Sequence, residues 1–217
     1  MNVYVLRMEV NMKVLLVNGG PHKAGCTYTA LREVADTLEK NGVETEIIWL
    51  GVGEIAGCIG CGACRKTGAC FRGDIVNEFV EKAEGADGYI FGSPVHYAAA
   101  SGALTSFMDR AFYSGGGKMR GKPAAAVVSC RRGGASATFD QINKYFTING
   151  MPVVPSQYWN QVHGSCAEDV KKDEEGMQTM RTLGNNMAWL LKCIEAGKEK
   201  GIVVPEREPA IRTNFIR

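Results

Sequence analysis

The chain has 217 residues, 45% of them hydrophobic and 22% charged, proportions that fit one ordinary globular domain with additions and exclude a disordered chain, a fibrous repeat or a disulfide miniprotein. Its 25 Lys and Arg against 23 Asp and Glu leave a net charge of +2, too even for a protein that works on nucleic acid or acidic membranes. No apolar run approaches the roughly 20 residues that span a bilayer.

At the start, MNVYVLRMEVNMKVLLVNGG has two short apolar stretches, Val3–Leu6 and Val14–Val17, separated by Arg7 and Glu9. No small-residue cleavage site follows, so a secretion signal is not expected and the protein is expected in the cytoplasm. Met8 and Met12 are alternative starts, which sets 1–12 apart as an extension. Thiols stay reduced in that compartment, so the eight cysteines need an explanation other than disulfides.

Lys13–Asn18 (KVLLVN) reads as a buried strand that runs into Gly19-Gly20-Pro21. Apolar residues then recur at helical spacing from Thr27 to Asn41, with Gly42 as the stop. Glu44–Leu50 is a second strand. A glycine- and cysteine-rich interval, 51–73, precedes a helix over Asp74–Glu84 and a third strand over Gly88–Gly92. A helix over Gly102–Tyr113, a strand over Pro123–Ser129 and a helix over Ser136–Asn149 continue the alternation. Met151–Val154 is the fifth strand, and the last helix runs from about Asp169, or from Gly176, to about Lys198. The tail 201–217, with three arginines and two prolines, reads as an extended arm suited to packing on a neighbouring subunit. Five strands alternating with five helices predict one doubly wound α/β domain over 13–200, a parallel sheet with helices on both faces.

In such sheets ligands sit beyond the carboxyl ends of the strands, near the topological switch point. Three loops reach that edge. Gly19–Thr27, which contains Gly20, Pro21, His22 and Cys26, sets converging amides before a helix N-terminus and suits a phosphate, with a plain tight turn as the alternative. It is neither a Walker loop nor a GxGxxG turn. Ser93–Tyr97 joins a rigid Pro94 and Val95 to the aromatic pair His96 and Tyr97, fit to border a flat ring or simply to turn the chain. Ser129–Gly134, with Arg131, Arg132, Gly133 and Gly134, offers amides and cations to an electron-rich ligand edge, or is a solvated basic turn.

The sharpest pattern is Cys58-x2-Cys61-x2-Cys64-x5-Cys70, four thiols within thirteen residues, interleaved with Gly57, Gly60, Gly62 and Gly68. Such spacing suits iron–sulfur ligation. A four-thiolate zinc site is the rival, although zinc modules usually separate two CxxC pairs widely. Free thiols without metal are the third reading. Cys26, Cys130, Cys166 and Cys193 read as small buried hydrophobes, and Met151, Met177, Met180 and Met187 as core or subunit contacts. Only three histidines are present, none in a nucleophile context, which argues against a cysteine hydrolase.

Taken together, GGPHKAGCT, the Cys58–Cys70 run, GSPVHYAAASGALTSFMDR and GMPVV resemble the iron–sulfur flavoproteins of the NAD(P)H-dependent FMN reductase branch, from about Lys13 to Lys198. The resemblance implies a flavodoxin-like fold, non-covalent FMN, a [4Fe-4S] cluster on Cys58, Cys61, Cys64 and Cys70, NAD(P)H as electron donor, and a homodimer or homotetramer in which the cluster of one subunit lies near the flavin of another. His22, Cys26 and Thr27 with nearby amides would hold the phosphate, Pro94, Val95, His96 and Tyr97 would border the isoalloxazine, and Ser129–Gly134 would reach its pyrimidine edge. The chain departs from the family where Gly20-Pro21-His22 replaces Ser-Pro-Arg, His96 replaces tyrosine and Ala98-Ala99 replaces Gly-Asn. The implied activity is a flavin oxidoreductase serving small-molecule or protein redox partners. The alternatives are a cluster-free reductase of flavins or quinones, and a non-catalytic electron carrier or zinc-stabilised module.

Overall fold

A computed structural model describes residues 11–213 and 215. Its strands are β1 (Lys13–Asn18), β2 (Glu44–Trp49), β3 (Gly88–His96), β4 (Ala99–Ala100), β5 (Ala124–Cys130) and β6 (Gln161–His163). The helices are α1 (Cys26–Lys40), α2 (Cys64–Thr67), α3 (Ile75–Glu84), α4 (Gly102–Met119), α5 (Ala135–Asn149), α6 (Ala167–Lys172) and α7 (Glu174–Glu199). The main sheet is parallel in the order β2-β1-β3-β5-β6, and β4 folds back antiparallel on the end of β3. The chain leaves β1 to one side for β2 and returns to the other for β3, so the switch point lies between them.

The central strands are apolar on both faces because helices cover both. On one side Leu15, Val17, Tyr89, Phe91, Ala126 and Val128 pack with Phe79, Phe107 and Phe146 from α3, α4 and α5. On the other, Leu16, Ile90 and Val127 pack with Leu31 and Leu38 of α1 and Leu183 of α7. Met151, Met180 and Met187 are buried, and Met177 packs at the core's edge.

Three boundaries differ from the sequence expectation. β3 runs on to His96, so Ser93–His96 is strand whose end turns through Tyr97 and Ala98 into β4, a sixth strand. Met151–Val154 makes only a bridge, Ala124 to Val153. The fifth position of the sheet resumes at Gln161–His163 after the chain departs through Pro155 and returns at Asn160, whose carbonyl accepts from Val128 N at 2.9 Å. α4 continues six residues beyond Tyr113 through Gly115, Gly116 and Gly117. A Cβ at Gly115 would lie 2.7 Å from the Val80 side chain, so close packing on α3 holds a stretch that propensity alone would end.

The last helical region is broken at Asp173, whose carboxylate accepts from Gly176 N at 3.0 Å and from His163 N at 2.6 Å. Of the tail, the described residues from 202 on are exposed and without regular structure, and touch their own chain where Arg120 and Arg207 donate to the carbonyls of Pro205 and Ile148. The extension expected over 1–12 lies outside the described residues up to 10. No helix among the described residues is long and apolar enough to cross a membrane.

Candidate functional site

The β1–α1 loop is held from beneath. Asn18 Oδ1 accepts from Gly20 N at 2.9 Å, and Trp49 Nε1 donates to Gly20 O at 2.9 Å. Ser101 Oγ donates to Gly19 O at 2.8 Å and fixes the same turn to the start of α4. Gly20 is buried, Pro21 and His22 are exposed, and Cys26 is half-buried. Gly25 precedes α1 with no side-chain cap, so the first amides of a 15-residue helix have no side-chain acceptor. An anion fits there. The Thr27 hydroxyl does not face that opening freely: it is buried and lies 2.9 Å from Ser129 Oγ, tying α1 to β5.

The second and third loops meet each other. Gly134, at φ +87°, lies so close to Val95 that a Cβ would stand 2.8 Å from Val95 Cγ1, so only glycine suits this position. Val95, Tyr97, Cys130, Arg131, Arg132 and Gly133 together line an open depression of about 450 Å³. Pro94 is half-buried behind it, and His96 is exposed beside it. Tyr97 sits at φ +56° with its side chain fully exposed, a strained backbone presenting an unburied ring. Burial raises the pKa of the Cys26 and Cys130 thiols, which keeps both protonated. Cys166 and Cys193 are exposed, against the expectation of burial.

The cysteine-rich loop builds a separate pocket between the end of β2 and α4. Cys58, Cys61, Cys64 and Cys70 all line one cavity of about 150 Å³, with Ile59, Phe71 and Tyr113 at its mouth and Arg110 in its wall. Gly60, Gly62 and Gly68 carry the loop round with φ between +67° and +73°. Asn77 clamps Cys70 by accepting from its amide at 3.1 Å and donating to its carbonyl at 2.8 Å. Among the described residues, no three His, Cys, Asp or Glu side chains are close enough to share one metal ion.

Arg110 was not singled out from the sequence, and neither were Asp74, Asn18 or Trp49. The available signal was an arginine on the α4 stripe of Leu104, Phe107, Met108 and Ala111, all buried. Its side chain is 1% exposed and forms a two-pronged bond with Asp74, 2.7 Å on each arm. That guanidinium holds the Asp74 carboxyl below its ordinary pKa.

A doubly wound sheet whose carboxyl edge joins an uncapped helix start to an open, cation-lined depression has flavodoxin-like architecture suited to a phosphate-bearing ligand. The chain matches the family described as NADPH-dependent FMN reductase over residues 12–164. It is 36% identical to an iron–sulfur flavoprotein of Methanocaldococcus jannaschii, across 85% of this chain and all of that protein. Identity to an iron–sulfur flavoprotein of Methanosarcina thermophila is 28%, across 87% of this chain and all of the other. Among solved structures, RosB with bound 8-demethyl-8-formylriboflavin-5'-phosphate superposes with a TM-score of 0.65 at 17% identity, covering 95% and 94% of the two chains. An archaeal flavodoxin superposes at 0.56 and 16%, covering 83% and 99%. The chain belongs to the NADPH-dependent FMN reductase family and, within it, to the iron–sulfur flavoproteins.

Proposed function

We propose that this oxidoreductase relays electrons between FMN at the carboxyl edge and a [4Fe-4S] cluster held by Cys58, Cys61, Cys64 and Cys70. NAD(P)H or another small-molecule or protein redox partner completes the circuit. The observation that carries the reading is the single cavity of about 150 Å³ bordered by all four thiols. Four thiols bordering one cavity suit a body with four iron corners.

When bound, FMN accepts electrons as a hydride or singly and a [4Fe-4S] cluster passes them singly, so the pair converts between two-electron and one-electron partners. The chain's own groups prepare the two sites. The uncapped amides of α1, beside His22 and Cys26, receive the phosphate, and the bonds from Asn18, Trp49 and Ser101 hold that loop in shape. Pro94, Val95, His96 and Tyr97 would border the ring. Arg131 and Arg132, exposed over the same depression, would offset negative charge on a reduced flavin bound there. The phosphate and ring sites form from loops that the sheet already aligns, whereas the thiol cavity depends on the loop and α4.

A homodimer or homotetramer fits the apolar side chains left exposed at the thiol cavity, Ile59, Phe71 and Tyr113, and on the arm, Ile202, Val203 and Ile211. Iron and acid-labile sulfide per FMN, measured on protein purified without oxygen, test the cluster. About four of each per flavin is expected. Flavin without iron would overturn the relay in favour of a cluster-free NAD(P)H-dependent reductase of flavins or quinones.

A further inference from the structure

Arg110 has more directed donors than a structural ion pair uses. Its side chain is 1% exposed, and a buried guanidinium is tolerated only where its charge and its N–H groups find partners. Asp74 supplies the charge: Nη1 donates to Oδ2 and Nη2 to Oδ1, both at 2.7 Å. Nη1 also donates to Ala56 O at 3.3 Å. These bonds use three of the four N–H groups at the outer end of the fork and tie α4 to both flanks of the cysteine loop. The inner donor, Nε, points elsewhere. It lies 3.2 Å from Cys70 Sγ, inside the cavity that all four thiols line.

That contact sits on a sulfur whose backbone is already fixed. Asn77 holds the Cys70 amide and carbonyl, so neither the position of Cys70 nor the path of the loop needs Nε. Asp74 in turn caps α3 by accepting from Val76 N at 3.1 Å, which anchors the carboxylate that aims the fork. The rigid planarity of the guanidinium then converts the Asp74 contact into a direction for Nε. Hydrogen bonds to ligand sulfur lower the electron density that the metal receives, and they strengthen as the centre gains negative charge, so they favour its reduced form.

We infer that Arg110, aimed by Asp74, is a positioning residue that donates to the Cys70 sulfur and raises the reduction potential of the cluster bound there. The inference rests on the four-cysteine reading given above. It sets Cys70 apart from the other three ligands: Cys58 and Cys61 are exposed, and Cys64 Sγ lies 3.7 Å from the Tyr113 carbonyl, an acceptor rather than a cationic donor.

The test compares wild-type holoprotein with Arg110→Lys, both purified without oxygen. Lysine keeps the cation beside Asp74 but has one nitrogen, which cannot span the carboxylate and still reach the sulfur. The readouts are iron per FMN, thermal midpoint, and the midpoint potentials of cluster and flavin by EPR-monitored potentiometry. The expected result is a lower cluster potential in the variant at unchanged iron content, with the flavin potentials unmoved. An unchanged cluster potential at full iron content would overturn the inference, because a purely structural tie leaves it where it was. If the variant does not retain iron, wild-type protein containing arginine labelled with the heavy nitrogen isotope decides. ENDOR on its reduced cluster is expected to detect a coupling to that nitrogen, and absence of the coupling overturns the inference. Wild-type protein with flavin but no iron would overturn the cluster reading and this inference together, a result distinct from either of the others.

Discussion

Tyr97 has a backbone that tyrosine disfavours, at φ +56°, and a fully exposed ring. Left-handed geometry costs an ordinary residue about 1–2 kcal/mol, part of which glycine would give back through its own lost entropy. Tyr97→Gly is therefore expected to raise the unfolding free energy of FMN-free protein by up to about 1 kcal/mol while weakening FMN binding, read by denaturant unfolding and by flavin fluorescence. Weaker folding and unchanged flavin affinity would dismiss Tyr97 as a ring contact. Arg131 and Arg132 face the same depression as exposed cations. At about 0.5–1 kcal/mol each, replacing both by Ala should lower the two-electron flavin potential by roughly 20–40 mV. An unmoved potential would show that neither arginine steadies the reduced ring. Residue types foretold these positions because loops at a parallel sheet's edge advertise themselves through Gly, Pro and cations. Trp49 was silent, since its role rests on Gly20 being brought against it, whereas the Asn18 bond to Gly20 N is a local turn two residues long.

At the scale of elements, the cysteine loop is short of regular structure and is held by α3 and α4 through Asp74 and Arg110. Removing one member of a buried ion pair is far worse than removing both. Asp74→Ala is expected to destabilise the protein by about 3 kcal/mol, near the lower end of that range because the carboxylate is 35% exposed. The double change with Arg110→Leu should recover most of the loss, checked by guanidinium unfolding. Equal stability of the single and double variants would mean that the pair carries little. The sequence marked both helices here and missed the pair, because the two partners are 36 residues apart and neither is unusual by itself. The same reason explains β6. The apolar MPVV looked more strand-like than QVH, yet only Gln161–His163 reaches the full register beside Val128–Cys130.

For the whole molecule, aromatic packing seals one face of the sheet and aliphatic side chains the other, with Tyr89 buried in the aromatic face and Tyr145 half-buried against it. Burial pushes the Tyr89 hydroxyl well above its ordinary pKa of 10.0, and the nearby Asp87 charge adds to this. Tyr145 is raised from the same value, first by burial and then by its bond to Asp109. A group with a raised folded pKa keeps its proton after the unfolded chain has lost its own. Stability contributed this way is complete below pH 10 and falls as pH rises above it, by about 1.4 kcal/mol per pH unit for each tyrosine until the folded pKa is reached. The loss of stability at alkaline pH should therefore steepen from pH 10, and Tyr89→Phe should reduce the slope there by about 1.4 kcal/mol per pH unit. A slope unaffected by that change would contradict the assignment. Deleting the residues after 200 leaves this core untouched, so the thermal midpoint should hold, while light scattering reports whether the arm is needed for an oligomer.

What the chain settled by itself was periodic and local. Lys13–Asn18, the α1 stripe ending at Gly42 and the repeated strand–helix alternation already required a doubly wound sheet, because each apolar face had to be covered on both sides. The four cysteines announced themselves by spacing alone. Tertiary structure decided which loop faced which. It placed Val95 against Gly134, kept α4 helical through three glycines by packing it on Val80, and buried Arg110 with its fork on Asp74 and its Nε on Cys70. Those outcomes depend on contacts between distant segments, whose energies exist only after the sheet has brought them together.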